Sequence, residues 1–308
     1  MDGRNGHGVV VGVDGSAGSE VAVRWAAREA ALRRAPLTVA HVVSPTSGAW
    51  RESSVVPEWL HGQRERGQAI LSEARRIVAE TCQGESVCVR TEMPSGHAVS
   101  ALVEMSHDAA LAVVGCLGNG TLRGRHLGSV SSGLTHHAHC PVAVIHDGIA
   151  LDADSRAPVL VGVDGSAGSD AATDIAFEEA ALRGVGVEAL HAWKDVGAFD
   201  TAVSFAGKGW PALHSKEESA LEHRLADPIA RHPGVPVRRI VVRDDASRSL
   251  VDQSRAAQLV VVGSRGNGGF AGMLLGSVSA AVVLLARVPV IVARGRGMHH
   301  AHRDSAQR

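Results

Sequence analysis

Val113-Val114-Gly115-Cys116-Leu117-Gly118, running on to Leu127-Gly128-Ser129-Val130-Ser131, returns later in the chain. The second copy is Val261-Val262-Gly263-Ser264-Arg265-Gly266, running on to Leu275-Gly276-Ser277-Val278-Ser279. Both copies read Gly, two residues, Gly, nine residues, Gly-Ser. An apolar run leads into each, so the first glycine ends a buried strand. Each Gly-Ser-Val-Ser opens a segment that reads as a helix. A glycine turn beside a helix start exposes backbone N–H groups, which bind phosphate oxygens. Without side chains, backbone and ligand can approach closely. Both copies therefore read as phosphate-binding loops of a nucleotide site.

The repeat extends well beyond these loops. Val9-Val10-Val11-Gly12-Val13-Asp14-Gly15-Ser16 returns as Val159-Leu160-Val161-Gly162-Val163-Asp164-Gly165-Ser166. Glu29-Ala30-Ala31-Leu32-Arg33 returns as Glu179-Ala180-Ala181-Leu182-Arg183. The offset is 150 at these segments and 148 at the glycine motifs. A period that long marks a duplicated domain, not a solenoid. In the first copy, strands are expected at 9–13, 37–43, 87–90, 111–114 and 142–145. In the second they are expected at 159–163, 187–192, 237–242, 259–262 and 290–292. Helices fall between them. Ser19 is a candidate cap for the first, with Val21, Trp25 and Leu32 on one face. A longer helix over about 58–80 carries Ile70, Leu71, Ala74, Ile77 and Val78 as its apolar stripe. Segments 44–57 and 195–211 read as loops, 146–158 as a linker, and 295–308 as a disordered polar tail. Apolar strands alternating with helices indicate an α/β fold, a parallel sheet covered on both faces. Ligands of such sheets bind at the carboxyl ends of strands, where the strand order reverses.

Composition narrows the function. The 308 residues suffice for two domains, and 45% hydrophobic content gives each a core. Net charge is −1, so no basic field draws nucleic acid or an anionic membrane. Aromatics are 3% and tyrosine is absent, which argues against base-stacking platforms. No run of about 18 apolar residues and no signal-peptide core appears, so a cytoplasmic location is expected. Cys82, Cys88, Cys116 and Cys140 show no CxxC spacing and read as free thiols.

Asp14 and Asp164 end the first strand of each copy. Such a carboxylate can accept hydrogen bonds from base or ribose, or simply form an Asx turn with its own loop. There is no GxxxxGK[ST] motif and no lysine in the glycine segments. Phosphate would be held by N–H groups, by Ser129 and Ser277, and by Arg123, Arg125 or Arg265. That set suits binding better than phosphoryl transfer, which needs a metal clamp and a positioned nucleophile. His136, His137, His139 and Cys140 lie close in sequence, but no carboxylate completes a metal site, and a solvated helix end is the better reading. His299, His300 and His302 belong to the tail.

On these motifs the chain resembles the universal stress proteins, with two UspA-type domains at 8–146 and 158–294. Gly-x2-Gly-x9-Gly-Ser is the signature of that family's ATP-binding branch. The resemblance implies two tandem doubly wound, Rossmann-like domains, each a five-stranded parallel sheet in the order 3-2-1-4-5. It implies ATP as ligand, alone or with Mg2+. Asp14 and Asp164 would face adenine or ribose, and Val42 and Ala192 would lie against adenine. Gly115, Gly118, Gly128, Ser129, Val130 and Ser131 would hold phosphate and ribose in the first copy. Gly263, Gly266, Gly276, Ser277, Val278 and Ser279 would do so in the second. The family usually has Ser and a basic or His residue between the first two glycines. The second copy keeps Ser264-Arg265, whereas the first has Cys116-Leu117, which makes it the weaker site. The implied role is a regulatory ATP-binding protein of the stress response. A slow ATPase and a nucleotide-free adaptor are the alternatives. The two halves are expected to pair through their apolar fifth strands, with a homodimer as a further option.

Overall fold

A computed structural model describes residues 7–44, 56–83, 86–118, 127–148, 155–193, 209–268 and 274–294, apart from the side chains of 56–60 and 209–211. The first half contains β1 (Gly8–Gly12), α1 (Ala17–Arg33), β2 (Leu37–Ala40), α2 (Val56–Thr81), β3 (Val89–Glu92), α3 (Ala98–Met105), β4 (Ala109–Gly115), α4 (Ser129–His137) and β5 (Val142–Ile145). The second repeats it with β6 (Val159–Gly162), α5 (Ala167–Arg183), β7 (Val187–Ala192), α6 (Gly209–Arg231), β8 (Val237–Val242), α7 (Ala246–Gln253), β9 (Leu259–Gly263), α8 (Ser277–Leu285) and β10 (Val290–Ala293). Each half is a parallel five-stranded sheet in the order 3-2-1-4-5. β5 and β10 then pair antiparallel, Ala143 opposite Ile291, and fuse the halves into one ten-stranded sheet. The two apolar fifth strands thus cover each other's open edges. The outer edges fall to β3 and β8, which carry Arg90, Glu92, Arg238 and Arg239. Charge there disfavours further strand addition.

Strand side chains alternate between two cores with the period of two that the pleat imposes. Val9, Val11, Val113 and Ile145 join α1 and α2 on one face, together with Val159, Val161 and Phe177 of the second half. Val10, Ala112, Val114 and Val142 join α3 and α4 on the other, together with Leu160, Val260 and Val290. Both helical layers therefore run across the joint between halves. Among the described residues no helix is long and apolar enough to cross a membrane.

Several local expectations need correction. Ser16, not Ser19, caps α1: its side chain accepts from the Ser19 N–H, and the Ser19 hydroxyl donates to the Ser16 carbonyl. The helix opens earlier because Asp14-Gly15 turns the chain directly off β1, with Gly15 at φ +79°. The expected face of α1 holds at Trp25, which is buried, and at Val21, which packs against the core, but not at Leu32. Leu32 is 40% exposed, while Ala22, Ala26 and Ala30 are fully buried. Alanines at i, i+4 and i+8 let the helix lie close on the sheet. β2 stops at Ala40, and β3 starts two residues later than expected and runs on to Glu92; a lone bridge joins Val43 to Ser95. α2 begins at Val56 and α6 at Gly209, inside segments read as loops. The rest of those loops, Arg123, Arg125 and the tail with its histidines lie outside the described residues.

Candidate functional site

In each half a cleft opens at the carboxyl ends of β1 and β4, or β6 and β9, where the strand order reverses. The first measures about 380 Å³ and the second about 300 Å³, both in the range of small-molecule pockets. The described residues expected at a nucleotide site line them. Asp14, Val42, Gly115, Gly118, Gly128, Ser129, Val130 and Ser131 border the first. Asp164, Ala192, Gly263, Gly266, Gly276, Ser277, Val278 and Ser279 border the second, with Arg265.

The floor of each cleft is built by backbone meeting backbone. A Cβ on Gly115 would lie 2.9 Å from the carbonyl carbon of Gly18, and one on Gly263 would lie 2.6 Å from that of Gly168. The first motif glycine thus lets the start of α1 or α5 seat directly on the end of β4 or β9. Gly18 and Gly168, themselves 150 residues apart in the repeat, belong to the same packing. The second motif glycine has another task. A Cβ on Gly118 would lie 2.6 Å from Asp14 Oδ2, and one on Gly266 would press still closer on Asp164 Oδ2. These glycines admit the carboxylate.

Both aspartates make the Asx turn. Asp14 Oδ1 accepts from the Ser16 N–H at 3.0 Å and its hydroxyl at 2.6 Å. Asp164 Oδ1 does the same with Ser166, at 2.9 and 2.6 Å. Asp164 Oδ2 also accepts from the Asn267 N–H at 2.9 Å, while the Asn267 side chain donates to the Asp164 carbonyl at 2.7 Å. The turn reading is thus what the bonds show: each carboxylate shapes its own loop, and in the second half it also clamps the glycine loop through Asn267. Burial pushes the Asp164 carboxyl up, but the bonds from Ser166, Asn267 and Ser169 outweigh it and hold it below its ordinary value. It is anionic at neutral pH.

Above the floor, the first turns of α4 and α8 point their N–H groups into the clefts. Gly128 and Gly276 occupy the cap positions and have no side chain to satisfy them. The N–H groups of Ser129, Val130 and Ser131, and of their counterparts, are the donors this leaves, at the positive end of a helix dipole. The Ser131 hydroxyl is spent inward on the carbonyls of Cys116 and Gly128, at 2.9 and 3.0 Å. Ser279 donates likewise to Gly263. These two serines pin the loop to the helix, so their hydroxyls face away from a ligand.

Other residues went unread in the sequence. His41 and His191 turn their Nδ1 atoms to the carbonyls of Val13 and Val163, at 2.9 and 2.7 Å, and so fix the loop that carries each aspartate. His41, Ala98 and Leu102 line the first cleft, and Leu190, Ala246 and Leu250 the second. Ala98, Leu102, Ala246 and Leu250 lie on short helices, where apolar residues look like core. Burial and Asp147 raise the Cys116 thiol to about 11, and burial raises Cys140 to about 12, so both are protonated and unreactive at neutral pH. His139 stacks on His107 at 3.5 Å. Among the described residues no three His, Cys, Asp or Glu side chains gather to hold a metal.

Comparison with known proteins places the chain in a family. The model of the universal stress protein family matches residues 7–146 and again 156–294. A universal stress protein of Mycobacterium tuberculosis strain H37Rv is 50% identical over 95% of this chain and 98% of its own length. One from Mycolicibacterium smegmatis is 43% identical over 94% and 98%. A crystal structure of a universal stress protein from Archaeoglobus fulgidus superposes with a TM-score of 0.68 at 19% identity, over 93% of this chain and 96% of that one, and so shares the fold. Two family matches in tandem, each spanning one cleft, lead to one conclusion: this chain belongs to the universal stress protein family.

Proposed function

We propose that the protein is an ATP-binding regulator of the stress response that carries one nucleotide in each half. The observation behind this reading is the pair of uncapped helix starts, at Gly128 and Gly276, facing clefts large enough for a nucleotide. First-turn N–H groups with no side-chain acceptor suit an anion with several oxygens. Triphosphate would lie along Ser129–Ser131 and Ser277–Ser279. Adenine would rest on Val42 or Ala192, with Asp14 or Asp164 toward base or ribose. Both aspartates are half-buried at the cleft edge, where a carboxylate could hold Mg2+ through water. Among the described residues lining either cleft there is no lysine, which favours holding ATP over cleaving it. Arg265 gives the second site a cation that Leu117 denies the first, so the second is the tighter.

Mass spectrometry of ligand released by denaturing the purified protein tests the reading. ATP approaching two equivalents per chain is the expected result. A protein that carries no nucleotide and gives no heat with ATP would be the adaptor instead. Turnover above about 1 per second, the low end for ordinary enzymes, would make it an ATPase.

A further inference from the structure

The helices that open the two clefts are short, and their far ends are not closed by their own half. α4 ends at His137, and Ala138 follows in extended conformation at φ −60°, ψ 153°. α8 ends at Leu285, and Ala286 follows at φ −65°, ψ 142°. Neither takes the left-handed turn that would fold the chain back over the last carbonyls. The last-turn carbonyls need donors from elsewhere.

For α4 the donor comes from the second half. Arg294 follows the end of β10, and its guanidinium donates to the carbonyls of Ala138 at 2.7 Å, Thr135 at 2.9 Å and His136. For α8 the donor comes from the first half. His146 follows the end of β5, and its Nε2 meets the carbonyl of Val283 at 2.9 Å. The two contacts are images of one another. His146 and Arg294 stand 148 residues apart, as do Thr135 and Val283. Antiparallel pairing of β5 with β10 puts the residue after each strand under the other half's last helix. The partners differ in strength: one is a permanent cation making three bonds, the other an imidazole making one.

We infer that Arg294 and His146 are positioning residues for the clefts, each acting on the cleft of the opposite half. A nine-residue helix is about 13 Å long and moves as one piece. Holding its last turn fixes where its first-turn N–H groups point. Arg294 therefore orients the first cleft and His146 the second. This rests on the nucleotide reading for its effect on affinity, but not for its effect on the helices.

The test uses the full chain with Arg294→Met and His146→Leu. Each is measured by ATP calorimetry and by amide hydrogen exchange across 129–137 and 277–285 without nucleotide. Site-specific affinities come from the same changes made in Gly266→Glu and Gly118→Glu backgrounds, which leave one cleft each. Arg294→Met is expected to weaken the first cleft about tenfold, in line with the loss of bonds to a charged donor, and to speed exchange in α4 alone. His146→Leu is expected to weaken the second cleft by less, about threefold, and to speed exchange in α8 alone. Arg294→Lys should restore part of the first effect. Equal weakening of both clefts, or exchange unchanged in α4 when Arg294 is lost, would overturn the inference. If wild type bound no ATP the nucleotide reading would fall, and exchange alone would decide the crossed anchoring. Circular dichroism separates a folded variant from a collapsed one, and Arg294→Gln serves where Arg294→Met does not fold.

Discussion

Glycine at the second motif position is decided by a carboxylate. Gly118 and Gly266 leave no room for a Cβ because Asp14 and Asp164 already lie against them. The motif thus records the packing of two loops as much as the approach of a ligand. Gly266→Glu would drive a side chain into Asp164 and set a second negative charge beside it. The aspartate clamp to Asn267 would open and the second cleft would lose ATP. The loop is exposed, so the fold should survive. Calorimetry on this variant should show one site lost with an unchanged circular dichroism spectrum. Gly118→Glu should remove the first site, with a smaller change in total heat because Cys116-Leu117 already makes it weaker. A folded Gly266→Glu protein that binds ATP like wild type would sink the site assignment.

At the scale of elements, the duplication supplies its own controls. α1 and α5 both begin with a serine cap and end in the left-handed region. The second copy places Gly184 there at φ 63°, while the first places Arg34 at φ 50°. A non-glycine residue in that conformation is strained. Arg34→Gly should therefore stabilise the protein by about 0.5–1 kcal/mol after the entropy that glycine adds to the unfolded chain, and Gly184→Arg should cost a similar amount. Urea midpoints of the two variants would move in opposite directions; a destabilised Arg34→Gly would refute the argument. This level was largely legible from sequence. The inner strands read as apolar runs because both sheet faces are covered there, whereas the edge strands β3 and β8 carry charges and have no fully buried residue to mark them. Less legible was the flush face of α1, where Ala22, Ala26 and Ala30 do the packing and the larger Leu32 faces solvent. Hydrophobicity favours the larger residue, but the close approach of helix to sheet favours the smaller. The glycine clefts could be read because backbone chemistry dictates residue type at each point. His41 and Arg294 could not, since their partners are set by tertiary contacts far away in the chain.

The whole molecule is two halves related by a pseudo-two-fold axis between Ala143 and Ile291, which pair with each other and are copies of each other. Such an isologous contact is what a symmetric dimer has, here within one chain. The repeated Glu-Ala-Ala-Leu-Arg segment meets itself across the same axis. Arg33 bonds Glu29 at 2.5 Å and Glu179, while Arg183 bonds Glu29 at 2.5 Å and Glu179. Both carboxylates are nearly fully buried. Burial opposes the Arg33 charge, but Glu179 and Glu29 outweigh it and raise its pKa. Removing one member leaves a buried charge without its partner. Glu29→Ala should cost about 3–5 kcal/mol, whereas replacing all four by leucine and methionine should be close to neutral. Denaturant unfolding of both variants checks this, and a quadruple variant as unstable as the single one would contradict it. The joint also carries a proton-sensitive part. Burial holds the His146 pKa below its ordinary 6.5, against the pull of the Val283 and Val288 carbonyls and the adjacent Asp147, and Arg287 lowers it further. A depressed folded value means that the unfolded chain binds the proton more readily. The stability from His146 is then fully present above pH 6.5 and is lost as pH falls through the folded value. His146→Gln keeps an N–H donor but cannot titrate. Between pH 7.5 and 5 the wild type should lose stability relative to that variant, read as a converging pair of denaturation midpoints. Parallel midpoints over that range would show that His146 takes up its proton equally in both states.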